Sequence, residues 1–152
     1  MVDMHTIGAG GGSIAYIDSG GMLKVGPQSA GADPGPASYG KSGESATVTD
    51  ANLVLGRLLE SSELADGLSL DLGKARAAIE RLSVPLNLTI EETALGIVTI
   101  ANEHMAKAIR LISVNRGHDP KEFVLASFGG AGGLHVCSVA EAMQMDKAIV
   151  PA

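Results

Sequence analysis

The chain has 152 residues and a formal net charge of −6, without a dense block of Lys and Arg. This charge argues against nucleic acids and anionic membranes as partners, although backbone N–H groups could still bind a small anion. A single cysteine, Cys137, excludes an internal disulfide framework. The N-terminus lacks the basic start of a signal peptide, and no run approaches the roughly 20 apolar residues of a membrane helix. We therefore expect a cytoplasmic protein.

Residues 1–49 are typical of strands and glycine-rich loops. "SIAYID" and "MLKVG" are separated by "SGG", which predicts a β-hairpin. Pro and Gly interrupt residues 26–49 without any period, so we expect a long loop there. The preceding "GAGGGS" could form an anion cradle or simply a bend that leads into the first strand. Its candidate ligand contacts are Gly10, Gly11, Gly12 and Ser13.

Residues 50–118 have the three-and-four spacing of helices. "TDANLVLGRLL" predicts a helix with Thr49 or Asp50 as its N-cap. "LDLGKARAAIERL" places its apolar residues on one face and predicts a second helix, which Pro85 should end.

The clearest predicted element is a helix over residues 90–116. Thr89 followed by Glu92 is a capping-box pattern, and apolar residues then recur at steps of three and four. Gly117 is a typical helix stop. We expect this helix to pack on more than one side.

Residues 119–152 are predicted to form a βαβ unit. "FVLASF" and "KAIVP" indicate strands, which would be parallel, and "GLHVCSVAEAM" between them indicates a helix. A strand that turns through glycines into a helix directs free N–H groups at one point, which favours a nucleotide. A tight turn without a ligand is the alternative. His135 would then contact the nucleotide or lie on the helix surface, and we expect Cys137 to be buried and inert.

Three further side chains have both a functional and a structural interpretation. His5 could be a metal ligand, a substrate contact or a structural residue. Asp33 could be a metal ligand or could start a turn before Pro34. Asp50 could be a site carboxylate or a helix cap. We expect no P-loop, and no acidic residue lies about 20 residues beyond the second set of glycines, as a dinucleotide fold would require.

Three segments carry a resemblance to a known family. They read "HTIGAGGGSIAYIDSGGMLKVGPQSAGADPGPASYG", "TVTDANLVLGRL" and "ANEHMAKAIRLISVNRGHDPKEFVLASFGGAGGLH". Together they resemble the hydantoinase/oxoprolinase family, which includes ATP-dependent hydantoinase subunits, 5-oxoprolinase and the acetone carboxylase beta subunit. The resemblance implies an α/β chain that is part of an actin-like ATPase (ribonuclease H-like) fold and uses ATP and Mg²⁺.

The same resemblance assigns a role to the glycines of "FGGAGGLH". It implies that they contact the adenosine of ATP, with the candidates Gly129, Gly130, Ala131, Gly132 and, more loosely, Gly133. The chain departs from the family in two places, where Gly133 replaces a usual Pro and Ser38 replaces a frequent Cys. The family's phosphate-binding signatures, of the form Asp-x-Gly-Gly-Thr, do not occur in this chain. We therefore expect a fragment that does not turn over ATP alone.

The implied function is that of an ATP-dependent hydrolase of cyclic amides. The expected partner is a second, hydantoinase B-type subunit or domain, and the small ligand is a cyclic amide. An acetone-carboxylase-type enzyme and a non-catalytic nucleotide-binding module are the alternatives. The predicted organisation has three parts: a strand and glycine part (1–49), a helical subdomain (50–118) and the βαβ unit with the adenosine-contact loop (119–152).

Overall fold

The computed structural model describes residues 5–61 and 67–151. They form a mixture of helices and short strands. In chain order, these are β1 (Ser13–Ile17), β2 (Leu23–Ser29), α1 (Val48–Val54), α2 (Leu72–Leu86), α3 (Ile90–Asn115), β3 (Leu125–Ala126), α4 (Val136–Ala142) and β4 (Ala148–Ile149). Short 3₁₀ helices lie at 37–39, 120–122 and 130–134.

The predicted hairpin is confirmed. β1 and β2 pair antiparallel, with Tyr16 opposite Lys24. Asp18 closes the turn because its Oδ1 accepts the backbone N–H groups of Gly20 and Met22, both at 2.9 Å. The bond from Met22 is the largest influence that lowers the pKa of the Asp18 carboxyl below its ordinary value.

Helix α1 begins two residues before the earliest predicted start. Its N-cap is Thr47, so the prediction of Thr49 or Asp50 is wrong. The Thr47 hydroxyl accepts the Asp50 N–H at 3.3 Å, and the Asp50 carboxylate accepts the Thr47 N–H at 2.9 Å. Asp50 is thus the reciprocal partner in a capping box, three residues into the helix.

The same helix also ends earlier than predicted. Its last residue is Val54, and Gly56 follows in the left-handed region with φ of 70°. The N–H groups of Gly56 and Arg57 bond back to Leu53 O and Asn52 O, which closes the helix. Residues 62–66, between this helix and α2, lie outside the described part of the chain.

Helices α2 and α3 follow the sequence expectations closely. Pro85 lies in the last turn of α2, which ends one residue later. The capping box of α3 is confirmed, since the Thr89 hydroxyl accepts the Glu92 N–H at 3.1 Å and Glu92 Oε2 accepts the Thr89 N–H at 2.8 Å. Within residues 5–61 and 67–151, no single helix is long and apolar enough to cross a membrane; α2 and α3 pass this test only as a pair bent by 94°.

The parallel βαβ unit is confirmed, with Leu125 paired to Ala148 and Ala126 to Ile149. Its strands are shorter than predicted, and the glycines form a 3₁₀ helix before α4 begins. The prediction that Cys137 is buried is wrong, because the residue is exposed. The buried stripe of this short helical region consists of Val136, Val139, Ala140 and Met143, and Cys137 lies outside that stripe.

Two of the three apolar clusters among the described residues join α3 to other elements. In the larger one, Ala15 and Val25 of the hairpin pack with Ala51, Ile79 and Ile97 of α1, α2 and α3. In the smaller one, Ala106 of α3 packs against Val139 and Met143 of α4. Helix α3 contributes to both, which agrees with its expected packing on more than one side. The three-part division of the chain stays a prediction.

Candidate functional site

A cleft of about 640 Å³ lies between the two glycine-rich parts of the chain. We call residues 8–12 the first glycine segment and residues 129–133 the second. The first contributes Gly10 and Gly11 to the lining, and the second contributes Ala131 and Gly132. The remaining lining is mostly apolar and comes from α3, α4 and the end of β3, including Met105, Ile109, Phe128, Val136 and Val139. Residues about 120 positions apart in the sequence thus share one site.

Helix α1 holds the first glycine segment. The carbonyl oxygen of Gly11 accepts two hydrogen bonds from Thr49, one from the backbone N–H at 2.8 Å and one from Oγ1 at 3.0 Å. A Cβ added at Gly11 would lie 2.7 Å from Thr49 Oγ1 and 3.6 Å from the Cβ of Ala131. Glycine is required here because there is no room for a side chain.

Ser13 completes the bend of the first segment. Its hydroxyl accepts the backbone N–H of Gly10 at 3.0 Å, and its own N–H donates to Gly10 O at 3.0 Å. The Gly10 N–H is therefore already bonded, whereas a Cβ at Gly10 would meet nothing within 4 Å. The cleft therefore has open space at Gly10, but the backbone N–H of Gly10 is not free to bind a ligand.

The second glycine segment needs glycine for a different reason. Gly129 and Gly130 have φ values of 66° and 46°, in the left-handed region that L-residues disfavour. A Cβ at either position would meet nothing within 4 Å, and both residues are exposed. The segment ends where the His135 N–H donates to Gly132 O at 3.1 Å. At Gly129 and Gly130 backbone conformation, not crowding, demands glycine, whereas a Cβ on Gly132 would lie 2.5 Å from Ser127 Oγ.

The structure places the predicted site residues in three groups. Five line the main cleft: His5, Gly10, Gly11, Ala131 and Gly132. Gly12 and Ser13 line a neighbouring cavity of about 220 Å³, together with Gly10. Outside the lining of the main cleft lie Gly129, Gly130, Gly133 and the exposed Asp33.

His135 is buried beneath the second glycine segment and is only 2% exposed. This excludes the helix-surface interpretation, while the residue does line the cleft. Its Nδ1 lies 2.7 Å from Asn102 Oδ1 of α3, and its Nε2 lies 3.4 Å from Asn52 Nδ2 of α1. Burial, and next the positive charge of Arg57, lower the pKa of His135 below its ordinary value of 6.5.

Sequence reasoning missed Asn52, Asn102 and Thr49 as supports of the site. The available signal was weak: Asn102 is a polar residue within the buried stripe of α3, next to Ala101 and four residues after Val98. Asn52 is one of six buried residues in the seven-residue α1, so no apolar stripe distinguishes it.

The Asp50 carboxylate has a structural role as a hydrogen-bond acceptor. It accepts the backbone N–H groups of Ser38 at 2.8 Å and Ala37 at 3.3 Å, in addition to the N–H and hydroxyl of Thr47. It thereby ties the glycine-proline loop to the start of α1. Ser38 is fully buried beside it, and its hydroxyl has no hydrogen-bond partner among the described residues.

Residues 35–42, "GPASYGKS", match the P-loop consensus G-x-x-x-x-G-K-[ST], so the sequence alone provided no ground for excluding one. The structure shows a different arrangement. The segment contains a 3₁₀ helix at 37–39, no strand leads into it, and a loop instead of a helix follows Ser42. A P-loop needs a strand before it and a helix after it, so this match is coincidental.

Metal-binding geometry is not evident at the cleft. In residues 5–61 and 67–151, no group of three or more His, Cys, Asp or Glu side chains is suited to a metal ion. The described lining of the cleft contains His5 and His135 but no carboxylate. The mostly apolar lining suits a ligand with an apolar surface, and the candidates His5 and Asp33 stay untested predictions as metal ligands.

The family model and the similar proteins point to one family. The model of the hydantoinase/oxoprolinase family matches residues 1–152. Caprolactamase subunit alpha of Pseudomonas jessenii is 46% identical over 99% of this chain. A 5-oxoprolinase of Pestalotiopsis fici is 44% identical over 99% of this chain and 12% of the relative.

Two solved structures also match. The crystal structure of ATP-dependent caprolactamase from Pseudomonas jessenii superposes with a TM-score of 0.92 over 99% of this chain and 22% of that one. The nucleotide-free structure of acetone carboxylase superposes with a TM-score of 0.85 at 32% identity, over 95% of this chain and 21% of that one. The chain thus spans about a fifth or less of the length of these relatives.

Proposed function

Because this chain belongs to the hydantoinase/oxoprolinase family, we propose that it supplies the adenosine side of the ATP site in an ATP-dependent hydrolase of cyclic amides. The proposal rests on one observation: both glycine segments line the same cleft. The caprolactamase whose structure matches this chain is an ATP-dependent enzyme, which supports a nucleotide as the ligand.

In this proposal the second glycine segment contacts adenosine. Ala131 and Gly132 line the cleft, and the proposed contact extends along the backbone to Gly129, Gly130 and, more loosely, Gly133. The apolar lining from α3 and α4 suits a purine, which buries a flat ring and needs few polar contacts. The first glycine segment, with Gly10, Gly11 and Gly12, and the adjoining Ser13 lie on the opposite side and face the ribose and phosphates.

ATP supplies a phosphoryl group that activates the ring amide for hydrolysis. Its transfer depends on positioning and charge stabilisation around the phosphates, usually by Mg²⁺. Without a carboxylate in the described lining, we assign none of these residues to Mg²⁺. Other parts of the full-length protein, which has an actin-like ATPase fold in this proposal, provide those groups, and a B-type subunit or domain completes the enzyme.

The first test is titration of ATP and AMP into the full-length polypeptide by calorimetry. We expect both to bind, because the site proposed here recognises adenosine. Ala131→Glu should weaken binding, since it places a charged side chain on the cleft wall. Ala32→Glu, an exposed position outside the cleft, is the matched control. Equal affinities of the two variants would contradict the assignment, and submicromolar binding by residues 1–152 alone would contradict the need for a separate phosphate half.

An acetone-carboxylase-type enzyme is the second candidate, favoured by the structural match at a TM-score of 0.85. It would use the same nucleotide cleft with a different acceptor. ATP hydrolysis by the full-length protein with its partner should rise with hydantoin, 5-oxoproline or a lactam if the first proposal holds. Stimulation only by acetone plus bicarbonate would favour the carboxylase, and binding without turnover in every assay would favour a non-catalytic nucleotide-binding module.

A further inference from the structure

The imidazole of His135 joins the cleft to two helices. It lies at the point where the 3₁₀ helix of the second glycine segment becomes α4, since the His135 N–H bonds to Gly132 O and the Val139 N–H bonds to His135 O. Its two ring nitrogens reach Asn102 on α3 and Asn52 on α1. One side chain therefore fixes the end of the glycine segment relative to both helices.

The hydrogen-bond pattern selects one tautomer of this ring. Asn52 Nδ2 donates to Val48 O at 3.1 Å, which sets the orientation of the amide and leaves its second N–H facing His135 Nε2. An amide nitrogen cannot accept, so Nε2 must be the acceptor and the proton must be on Nδ1. That proton is donated to Asn102 Oδ1 at 2.7 Å. The ring is therefore neutral and oriented.

The first glycine segment is fixed from the same helix. Thr49 bonds to Gly11 O one turn before Asn52 bonds to His135, so α1 contacts both sides of the cleft. Gly11 and Ala131 approach closely, since a Cβ on Gly11 would lie 3.6 Å from that of Ala131. The separation of the two segments thus depends on Thr49 at one side and on the His135 bonds at the other.

We propose that His135, in its neutral Nδ1–H form, is a positioning residue for the nucleotide: its bonds to Asn52 and Asn102 hold the second glycine segment in the conformation that faces adenosine. The inference rests on the function proposed above for this cleft. It adds a residue that acts through the glycine backbone, not through a contact with the reacting phosphates.

The variants separate positioning from folding. His135→Leu removes both bonds, whereas His135→Asn can keep the donor that faces Asn102. Met143→Ala, a buried change on the same helix but outside the cleft lining, is the stability control. In the full-length protein we expect His135→Leu to raise Kd for AMP and KM for ATP on the order of tenfold, with a smaller change in kcat. His135→Asn should restore most of the affinity, and Met143→Ala should leave it unchanged.

Two outcomes would overturn the inference. The first is an unchanged Kd in His135→Leu while the wild-type protein binds AMP. The second is an ¹⁵N imidazole spectrum that shows His135 protonated on Nε2 at neutral pH, which would remove the tautomer on which the argument depends. Failure of the proposed function would give a different result from these two outcomes. The wild-type protein itself would then bind neither AMP nor ATP, while the imidazole spectrum would still show the Nδ1–H form.

Discussion

The two glycine segments that form the cleft use the same residue for different physical reasons. The first, residues 8–12, is crowded: Gly11 lies against Thr49, and a Cβ on Gly12 would lie 2.7 Å from Ser29 Oγ. The second, residues 129–133, is open at Gly129 and Gly130, which have positive φ values, although a Cβ on Gly132 would lie 2.5 Å from Ser127 Oγ. A glycine cluster in a sequence therefore does not reveal whether space or backbone conformation selects it, and substitution by alanine separates the two.

The largest expected effect comes from Asp50 at the start of α1, the helix that holds the first glycine segment. Asp50→Ala leaves the buried N–H groups of Ser38 and Thr47 without their acceptor and should destabilise the protein by about 3 kcal/mol. The apparent melting temperature measures this loss. Asp146→Ala, which removes an exposed carboxylate, should change stability by less than about 0.5 kcal/mol. Equal melting temperatures for both variants would show that Asp50 does not hold the loop.

Alanine substitutions at two neighbouring glycines, Gly11 and Gly10, test the crowding of the first glycine segment. Gly11→Ala should cost about 2 kcal/mol, because the added Cβ would lie 2.7 Å from Thr49 Oγ1. Gly10→Ala has open space around the added methyl group and should be close to neutral. Thermal unfolding of the two variants gives the comparison. A similar loss at both positions would mean that the first segment is no more crowded at Gly11 than at Gly10.

The first two glycines of the second segment should respond to conformation only. Gly129→Ala should cost about 1 kcal/mol, since alanine at a φ of 66° is strained although nothing crowds it. Gly133→Ala places its Cβ 3.8 Å from the methyl groups of Val150, an ordinary contact, and should be tolerated. Hydrogen exchange of the amides in residues 130–135 would report the difference locally. If Gly133→Ala had the larger effect, the explanation by positive φ would be wrong.

Much of this architecture is predictable from periodicity and capping. Thr89 and Glu92 correctly predicted the start of α3, and the strand and glycine pattern correctly predicted the parallel βαβ unit. The α1 cap was missed because Asp at the third position replaces the Glu or Gln of the usual box. Cys137 was misplaced because the buried face of α4 contains Val136, Val139 and Ala140, and Cys137 lies off that face.

The cleft was only partly predictable. Both glycine segments were candidates from composition, but their meeting depends on contacts between distant residues such as Gly11 and Ala131. The buried bonds of His135 with Asn52 and Asn102 connect positions 83 and 33 residues apart. No local pattern encodes such pairs, so a single sequence cannot reveal them.

A smaller effect, of opposite sign, is expected beside Asp50. Ser38 is fully buried, and its hydroxyl has no partner in the described ranges, so it carries a desolvation cost. Ser38→Cys, which replaces the hydroxyl by a less polar thiol, should raise stability by about 0.5–1 kcal/mol. Ser19→Ala at an exposed turn position is the control. A lower melting temperature for Ser38→Cys would show that the hydroxyl has a partner, for example a buried water.

The smallest effect on stability is expected from a change of pH, since it depends on one group, His135, beneath the second glycine segment. Burial, followed by the charge of Arg57, lowers the pKa of His135 from 6.5, so at mildly acidic pH the unfolded chain binds a proton that the folded protein does not. The contribution of His135 is therefore complete above pH 6.5 and is lost as the pH falls below it. Melting temperatures measured between about pH 5 and pH 8 should show a steeper acid-side decline in the wild type than in His135→Asn.

The other lowered pKa values do not interfere with this comparison. Glu91 and Glu92 have pKa values below 4.5 because backbone hydrogen bonds favour their charged forms, so they titrate at more acidic pH. Met143→Ala, a buried change that removes no titratable group, should keep the wild-type slope. Parallel curves for the wild type and His135→Asn would show that the ring is not held neutral. The second glycine segment would then be anchored by its backbone alone, and the two sides of the cleft would differ even more than the structure indicates.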